Sequence, residues 1–550
     1  MATGFDKLMS TTPQPAIGKV RVGDPPPPPA GKEGVVVRVA VFFDGTKNNR
    51  SNTTKRLTSK GAILKVDGHD GGSSYGNFYS NPAIHEFMNN WKLAKDHYVS
   101  HYVEGIGTRN YVEGATHKVK KRVRIYEKNG RVFDKDTVVM DEIEVDEVIN
   151  DKDNGQDDMF GNAFGAGPTG IPKKVDSGIE QLRVKIKKAR GNVEDFFIEK
   201  IVLDVFGFSR GAAAARHFVH RRKELLLAPD NKPWPGQRPP ELEINFVGLY
   251  DSVSSFAKGY DGYGSTLANA KTSLNTDYIF CDDVGELGLN MGGTPKRVVH
   301  LTAADEHRQN FSLTNITTSL TAGVGLELTL PGVHSDIGGS YVEAGAGGGL
   351  NTEERCIRSE AEKRQLIAEG WYTDGSPGPD GKPTPNQFVR REEYHRFSRN
   401  QMVWYGVRSL TTDYQFVALR IMHDFASAKG GKHKEMDLAD FTGRFAAYAV
   451  PPPLKRIGDA LLTRAKALDG ARTRQVITLD EANAKWLRNH YLHRSAKQDG
   501  DAEATGMEAR ADTIKGHLHT ERLVIPDTMP SFIAPSLEAE QGITTDYTGI

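Results

Sequence analysis

Cysteine is scarce in this sequence of 550 residues, where only Cys281 and Cys356 occur, far apart and outside any C-x-x-C pattern. Two isolated thiols cannot build a disulfide framework, and they do not supply the ligands of a cysteine-based zinc site. Net charge is lacking as well, because 71 Lys and Arg residues are matched by 71 Asp and Glu residues. Such a chain has no overall field that would favour nucleic acid. We therefore predict no nucleic-acid partner.

Long apolar runs are also missing. No segment reaches the ~18 apolar residues that a membrane-spanning helix needs. The first residues, Met-Ala-Thr-Gly-Phe-Asp-Lys, lack the basic and then apolar segments of a secretory signal. We predict a protein that is made in the cytoplasm without a signal peptide and that another route must carry if it acts elsewhere. The composition, 38% hydrophobic and 26% charged residues, is that of a globular protein.

Three regions differ in composition. Residues 1–33 form a polar arm that ends in five consecutive prolines and is either a disordered tail or a docking peptide. Residues 34–345 alternate apolar runs with helical periodicity, which predicts an α/β fold: a mostly parallel sheet with helices on both faces. A β-rich insertion is predicted at 118–150, where Lys128–Gly130 has the Asn-Gly signal of a hairpin turn. Residues 346–550 are predicted to form a mainly helical accessory region.

The strongest functional signal is the stretch Ile-Val-Leu-Asp-Val-Phe-Gly-Phe-Ser-Arg-Gly-Ala-Ala-Ala-Ala-Arg, residues 201–216. The apolar run stops at Gly207, Ser209 stands between Gly207 and Gly211, and a helical run follows at once. Strand, serine and helix in this order are typical of a G-x-S-x-G nucleophile elbow. The flanking glycines allow a sharp turn, and the N-terminus of the helix directs N–H groups toward an oxyanion.

A second match to the motif shows why its context matters. Ser74 lies between Gly72 and Gly76 in a polar tract with no strand before it and no helix after it, which predicts a loop serine. The acidic run Asp151–Asp158 has the ligand spacing of a calcium loop but lacks the downstream glutamate, so an acidic surface loop is the favoured interpretation. We predict neither a metal nor another cofactor.

Other predicted strand ends carry groups that could assist Ser209. They are the carboxylate of Asp251, the imidazole of His334, and the backbone N–H groups of the Gly45-Thr46 turn. In open α/β sheets such residues collect at the carboxyl ends of the strands. A serine needs a base to take its proton, histidine is the usual base near neutral pH, and a carboxylate orients the imidazole. Ser, then Asp, then His is the chain order of an α/β-hydrolase triad.

The oxyanion hole is predicted to use the N–H of Arg210, the residue after the serine, together with one N–H from Gly45 or Thr46. Asp305 and His307 also follow a strand, and they stay open as replacements for Asp251 or His334. Four further residues are assigned structural roles: Asp204 in the elbow strand, Asp336 in the loop after His334, His217 in the elbow helix and His300 within a strand.

Six short blocks resemble the signature blocks of the type VI secretion lipase effectors of the first phospholipase family. The blocks are Phe43-Asp-Gly-Thr-Lys-Asn-Asn49, Val103-Glu-Gly-Ile-Gly-Thr108, Gly207-Phe-Ser-Arg-Gly-Ala212, Tyr250-Asp-Ser-Val253, Ala304-Asp-Glu-His-Arg308 and Val333-His-Ser-Asp-Ile-Gly-Gly339. They occur in the family's order over roughly 34–345. The resemblance implies an α/β-hydrolase fold with the nucleophile, acid and base at Ser209, Asp251 and His334.

The resemblance also implies an activity and partners. It implies phospholipase A activity, of the A1 or A2 kind, on bacterial membrane phospholipids, with delivery by a secretion spike component into the periplasm of a rival cell. It further implies neutralisation by a cognate immunity protein. Two other hypotheses remain open: an esterase or peptidase of the same fold that acts on soluble compounds, and a non-catalytic binding protein docked on the spike.

A phospholipase must reach an ester in a packed bilayer, so apolar surface is expected near the site. Residues 453–468 have helical periodicity with Leu454, Ile457 and Leu461 on one face and basic residues on another. Packing of that face into the core is favoured over contact with a membrane.

Overall fold

The structure, a computed structural model, describes parts of the chain between residues 31 and 528. The described residues are 31–58, 74–90, 97–110, 116–126, 138–148, 157, 169–191, 195–232, 234, 239–254, 284–308, 311–341, 351–357, 360–375, 386–393, 401–431, 433–495, 522 and 524–528. None of the helices in these ranges is long and apolar enough to cross a membrane. The predicted arm up to residue 30 and the Lys128–Gly130 turn lie outside them, as does most of Asp151–Asp158.

Strands and helices alternate along the first two thirds of the described chain. The strands are β1 (Glu33–Phe43), β2 (Tyr98–Val103), β3 (Thr116–Tyr126), β4 (Val138–Val148), β5 (Phe196–Phe208), β6 (Glu241–Tyr250), β7 (Pro295–Ala303), β8 (Leu313–Thr314), β9 (Gly325–Leu330), β10 (Asn351–Ile357), β11 (Thr373–Asp374), β12 (Gln387–Glu393), β13 (Gln401–Leu410), β14 (Gln475–Val476) and β15 (Val524–Ile525). The α-helices are α1 (Arg50–Thr58), α2 (Asn81–Met88), α3 (Ile171–Ala189), α4 (Arg210–Arg221), α5 (Val284–Leu287), α6 (Thr317–Thr321), α7 (His334–Gly338), α8 (Glu360–Ala368), α9 (Gln415–Ala426), α10 (Pro452–Ala467) and α11 (Glu481–His490).

A seven-stranded sheet lies at the centre, with the strand order β14-β9-β7-β6-β5-β1-β2. Every neighbouring pair in it runs parallel. The carboxyl halves of β1 and β5, residues 39–43 and 201–208, are buried at every position, as expected of strands in a parallel sheet that is covered on both faces. The predicted α/β fold, with a mostly parallel sheet, is therefore confirmed.

Helices cover both faces of this sheet. Along β1, Phe42 joins one core cluster with side chains of α9 and α10, whereas Val41 joins the other with side chains of α3 and α4. Alternate residues of a strand point to opposite faces, so each face of β1 has its own core. The alanines of α4 are fully buried, and their small side chains let the helix lie close to the sheet.

The order of the strands fixes where a site can form. Strand β2 lies on one side of β1 and the next strand of the sheet, β5, on the other, so the chain reverses its direction of winding between β1 and β5. Ligands of open α/β sheets bind at such a switch point, in the crevice outside the carboxyl ends of the strands. Here those ends are Phe43 of β1 and Phe208 of β5. The elbow and the Gly45-Thr46 turn both lie there.

The region after residue 345 contains more strand than a mainly helical region suggests. Strands β10, β13, β12 and β11 form a four-stranded sheet in that order, with antiparallel pairs on both sides of β13. Helices α9 and α10 pack on the central sheet, and β14 adds a parallel strand at its edge beside β9. The region therefore shares the core of the central sheet.

Two smaller predictions can be compared with the described elements. Strands β3 and β4 pair in antiparallel register over eleven residues each, as expected of the β-rich insertion. On α10, Leu454, Ile457 and Leu461 are buried in the core of the central sheet. The apolar face of this helix is thus packed inside, as favoured from the sequence, and it is not a membrane-contacting surface.

Candidate active site

Ser209 occupies a tight junction between β5 and α4. Strand β5 ends at Phe208, α4 begins at Arg210, and Ser209 between them has φ 59° and ψ −131°. A non-glycine residue with positive φ is strained and is held there by its surroundings. Four backbone hydrogen bonds hold it. The Ser209 N–H donates to the Tyr250 carbonyl, and the Ser209 carbonyl accepts the N–H groups of Val253, Ala212 and Ala213. This is the sharp turn that the G-x-S-x-G pattern predicts.

The two elbow glycines are required by close backbone approach. A Cβ on Gly207 would lie 2.5 Å from the Gly211 carbonyl oxygen, and a Cβ on Gly211 would lie 2.2 Å from the Asp44 carbonyl oxygen. Both contacts are with backbone, which cannot rotate away as a side chain can. The glycines thus let the helix start lie against both the strand end and the loop after β1.

Replacing Gly211 with alanine is expected to destabilise the protein by about 1–3 kcal/mol, because α4 or the loop after β1 must shift to admit the methyl group. Urea unfolding at equilibrium measures this change. Gly293 is the matched control, since a Cβ there would lie 3.4 Å from Ala322 Cβ, at an ordinary contact distance. Equal stabilities of the Gly211→Ala and Gly293→Ala proteins would contradict the tight elbow.

Asp251 and His334 meet although they lie 83 residues apart in the chain. Nδ1 of His334 lies 2.5 Å from Oδ2 of Asp251, and both side chains are buried. A carboxylate only accepts hydrogen bonds, so Nδ1 carries the proton and donates it, and Nε2 is left as the basic nitrogen. We find no hydrogen-bond partner for Nε2 among the described residues.

Asp251 itself is held in an uncommon conformation. Its φ is 43°, its N–H donates to the Leu301 carbonyl, and its Oδ1 accepts the Ala303 N–H at 2.9 Å. The neighbouring Ser252 N–H donates to Nε2 of His300. The carboxylate is therefore fixed from its own backbone and from β7, the next strand of the sheet.

Burial and the neighbouring charges act against each other on the pKa values of both Asp251 and His334. The charges outweigh burial at Asp251, and burial outweighs the charges at His334. Burial by itself would raise the pKa of Asp251, but the Arg522 guanidinium and the His334 hydrogen bond outweigh it, and the pKa lies well below its usual range. Burial lowers the pKa of His334, an effect that Asp251 only partly offsets. Near neutral pH the pair therefore consists of an ionised carboxylate and a neutral imidazole, which is the resting state of a general base.

His334 packs beside the elbow. Its ring centroid lies 4.7 Å from that of Phe208, the residue before Ser209, and 4.9 Å from that of Phe311. The Ser209 hydroxyl has no hydrogen-bond partner in the part of the chain that the structure describes. In enzymes without bound substrate such catalytic hydrogen bonds are often long or unmade. The aromatic contact nevertheless brings the imidazole to the same strand end as Ser209.

The loop that carries His334 is anchored by two buried carboxylates. Glu306 accepts the His334 N–H, and Arg308 binds both Glu306 oxygens and keeps the pKa of this buried carboxyl low, at about 2. Asp336 accepts the Val333 N–H and the Nδ1–H of His493, which is the loop-stabilising role predicted for it. Three carboxylates therefore set the position of the imidazole. Asp251 binds its ring, Glu306 binds the His334 backbone N–H, and Asp336 binds the N–H of the residue before it.

One of the two loop N–H groups predicted as oxyanion donors already has a partner. The Gly45 N–H, a predicted oxyanion donor, donates instead to Asp44 Oδ1 at 2.8 Å. The buried Asp44 carboxyl also accepts the hydroxyls of Ser80 and Tyr102. Burial raises the pKa of Asp44 to about 6. Thr46 remains as the loop residue that could supply an N–H.

Thr46 is linked directly to the start of the elbow helix. Its hydroxyl accepts a hydrogen bond of 2.7 Å from Nε of Arg210. The first N–H groups of α4 have no partners within the helix and point out of its N-terminus. The Arg210 side chain thus connects the start of α4 to the loop after β1.

The rival residues have other partners. Asp305 accepts the Gly332 N–H and a hydrogen bond from Arg488, so it braces the His334 loop without contacting the imidazole. His300 pairs with Glu327, and His217 contacts the Leu287 carbonyl. Asp204, inside β5, accepts from Asn245 in the core, where burial raises its pKa to about 7.

Ser74 is a buried loop residue. Its hydroxyl donates to Asp157 at 2.7 Å and accepts from Asn52. Asp157, the one described member of the acidic run, is thus engaged by the protein itself. Within the described ranges we find no group of three or more His, Cys, Asp or Glu side chains placed to hold a metal ion.

Arg522 is the residue at this site that sequence reasoning missed. Its guanidinium binds both carboxylate oxygens of Asp251, at 2.6 and 2.8 Å. It lies 271 positions from Asp251, outside every motif, and nothing in its local sequence distinguishes it from the other arginines.

Comparisons with known proteins point to one family. Residues 230–358, which include Asp251 and His334, match the family model for the catalytic domain of Tle1-like phospholipase effectors of the type VI secretion system. Among solved structures, one of a Tle1 effector bound to the VgrG spike of that system is 21% identical, with a TM-score of 0.50. The match covers 90% of this chain and 94% of that one.

An uncharacterised protein from Pseudomonas aeruginosa is 16% identical with a TM-score of 0.34, and the match covers 83% of this chain and 53% of that one. No curated protein matches. The first of the two structures supports the fold. Together with the family model over 230–358, it confirms that this chain resembles the type VI secretion phospholipase effectors, as its signature blocks indicate.

Proposed function

We propose that this protein is a serine-dependent phospholipase A that acts as an antibacterial type VI secretion effector. The observation that carries the proposal is a strained serine elbow after β5 and a buried Asp251–His334 pair from the carboxyl ends of β6 and β9 of the same parallel sheet, with the His334 ring packed on Phe208. The match of residues 230–358 to a phospholipase effector domain supports the substrate class. Ser209 is the proposed nucleophile, His334 the general base and Asp251 the orienting acid.

The proposed reaction has two half-steps. In the first, the Ser209 hydroxyl oxygen attacks the ester carbonyl carbon of a phospholipid, and its proton passes to Nε2 of His334. The tetrahedral intermediate collapses to an acyl-enzyme as the lysophospholipid alcohol leaves with that proton. In the second, water gives a proton to His334 and its oxygen bonds to the acyl carbon. The bond from that carbon to the Ser209 oxygen then breaks, His334 returns the proton to this oxygen, and a fatty acid is released.

Asp251 stabilises the imidazolium that forms in each half-step and keeps Nδ1 protonated, so that Nε2 faces the substrate. The negative oxygen of the tetrahedral intermediate is proposed to accept the N–H groups of Arg210 and Thr46. Arg210 is the first residue of α4, whose N-terminus adds a partial positive charge, and its side chain donates to the Thr46 hydroxyl in the loop after β1.

The partners and the division of the chain are part of the same proposal. The relative of known structure binds the VgrG spike, and we propose a secretion spike component as the carrier of this chain into the target periplasm. We also propose a cognate immunity protein. Residues 34–345 would form the catalytic core, 118–150 its β-rich insertion, 346–550 an accessory region and 1–33 an arm.

A soluble ester is the second candidate substrate, and one observation favours it. Among the described residues, the exposed large apolar side chains are Val36, Tyr98, Val184 and Val476. Val36 and Tyr98 lie near the amino ends of β1 and β2, away from the carboxyl ends where Ser209 lies. They form no continuous apolar rim that would mark a lipid-contacting surface.

The test compares the two substrate classes directly. Vesicles of phosphatidylethanolamine and phosphatidylglycerol, and separately a soluble nitrophenyl butyrate ester, are incubated with the protein, and products are identified by mass spectrometry. We expect lysophospholipid and free fatty acid in equal amounts, with a higher kcat/KM for the vesicles. Cleavage of the soluble ester alone would establish the second candidate. Cleavage of neither would favour a non-catalytic protein.

A further inference from the structure

A short segment from the far end of the described chain docks beside Asp251. We call residues 522 and 524–528 the clamp. Strand β15 of the clamp pairs in parallel with β8, and the Asn315 N–H donates to the Ile525 carbonyl. Asp527 accepts both the N–H and the hydroxyl of Thr318. These contacts attach the clamp to the chain between β7 and β9.

A buried ion pair adds to this attachment. Asp527 lies 3.5 Å from Arg216 of α4, and both side chains are fully buried. Arg216 also donates to the carbonyls of Thr314 and Asn315, next to the strand that β15 joins. The clamp is thus tied to the elbow helix and to β8 at once, which fixes the position from which Arg522 projects.

Arg522 reaches Asp251 with a two-pronged geometry. Its two terminal nitrogens lie 2.6 Å from Oδ1 and 2.8 Å from Oδ2, and the arginine side chain is 7% exposed. The Nε of Arg522 donates to the Phe311 carbonyl at 2.7 Å, and the Phe311 ring meets the His334 ring edge-on. One guanidinium therefore sets the plane of the carboxylate and the position of an aromatic neighbour of the imidazole.

We infer that Arg522 is a positioning residue for the Asp251–His334 pair, delivered by the clamp. The inference rests on the proposed function, because Arg522 acts on Ser209 only through Asp251 and His334. It has two separable parts. The bidentate contact holds the carboxylate in the plane that suits Nδ1 of His334, and the positive charge offsets part of the Asp251 charge that the imidazole senses.

The charge part predicts the direction of a pH shift. The other charged groups that face the pair are Glu306, which accepts the His334 N–H, and Arg308, which binds Glu306. These two compensate each other, whereas Arg522 is the cation in direct contact with Asp251. Without it, the full carboxylate charge would stabilise the protonated imidazole. The pH below which Ser209 loses its base would then rise.

The experiment follows the rate at which a fluorophosphonate probe labels Ser209 as a function of pH, in full-length protein. In this reaction the serine oxygen bonds to phosphorus, fluoride leaves and the serine proton passes to His334, so no lipid is needed. For Arg522→Gln we expect the midpoint of the acidic limb to rise by about one pH unit and the maximal rate to fall roughly tenfold. For Arg522→Lys, which keeps the charge but not the fork, we expect an unshifted midpoint and a roughly threefold slower rate.

Arg297→Gln is the control for a merely structural effect. Arg297 is a buried arginine paired with Asp469, six residues before Ala303 on β7 and so about 20 Å from the site. The Arg297→Gln protein should be less stable than wild type, but the pH midpoint of its Ser209 labelling rate should not change. Equal profiles for Arg522→Gln and Arg297→Gln would overturn the inference. If Arg522→Gln does not fold, an Arg522→Lys protein that is labelled at the wild-type rate would overturn it. If wild type is not labelled at Ser209, the proposed function fails and the inference with it.

Discussion

Replacing Ser209 with alanine is expected to lower kcat/KM for ester cleavage by about 10⁴-fold or more, because the variant lacks the hydroxyl that is proposed to attack the ester carbonyl carbon. The fold should persist. The Ser209 side chain makes no hydrogen bond among the described residues, and the four backbone hydrogen bonds of Ser209 remain in the variant. Release of fatty acid from phospholipid vesicles measures the loss, and circular dichroism checks the fold.

Ser74→Ala is the matched control for that experiment. Ser74 also fits G-x-S-x-G and is buried, but its hydroxyl bonds to Asn52 and Asp157. The variant should lose about 1 kcal/mol of stability and keep its activity. Cell killing by periplasmic Ser209→Ala protein at the wild-type level would contradict the catalytic role of Ser209 and favour a non-catalytic toxin.

Replacing Asp251 with asparagine is expected to lower kcat by about 10⁴-fold, as happens when the acid of a serine triad becomes an amide. An amide NH₂ facing Nδ1 favours the wrong imidazole tautomer, in which Nε2 carries the proton and cannot act as a base. Rates on a soluble ester and on vesicles should fall together, since the change affects the chemistry and not lipid binding.

Two further variants separate this effect from loss of the fold. Asparagine leaves the buried Arg522 charge without a partner, which by itself destabilises the protein. The double variant Asp251→Asn with Arg522→Gln removes that charge and should recover stability but not activity. Asp336→Asn alters the other Asp–His pair, with His493, and should reduce activity far less because it contacts the loop and not the His334 ring. Equal losses in Asp251→Asn and Asp336→Asn would contradict the assignment of the acid.

Much of the central sheet was predictable because its strands are recognisable from short local runs of apolar residues. Continuous apolar runs such as β1 and β5 are specific to strands buried on both faces, and the residues just after them are the ones that a parallel sheet gathers at one edge. The sequence therefore predicted that Ser209, Asp251 and His334 would lie at the carboxyl ends of strands of one parallel sheet. Their proposed roles as nucleophile, acid and base remain predictions for the variants above.

Other features depend on contacts that local patterns do not encode. The Gly45 N–H donates to the buried carboxyl of Asp44, which also accepts the hydroxyls of Ser80 and Tyr102 from other parts of the chain. Strand β14 has only two residues, too few for an alternating pattern to show, and it is a strand because β9 offers an open edge. Arg522 has a partner only after the whole sheet has assembled.

Because Arg522 lies 271 residues after Asp251, the two residues leave the ribosome at different times during translation. Strands β1 to β9 can assemble while the ribosome is still translating, since domains fold from the N-terminus as they emerge. Until residue 522 has left the ribosome, the carboxylate of Asp251 has no guanidinium to hold its plane. A nascent chain therefore contains the elbow well before it contains the arginine that binds the Asp251 carboxylate.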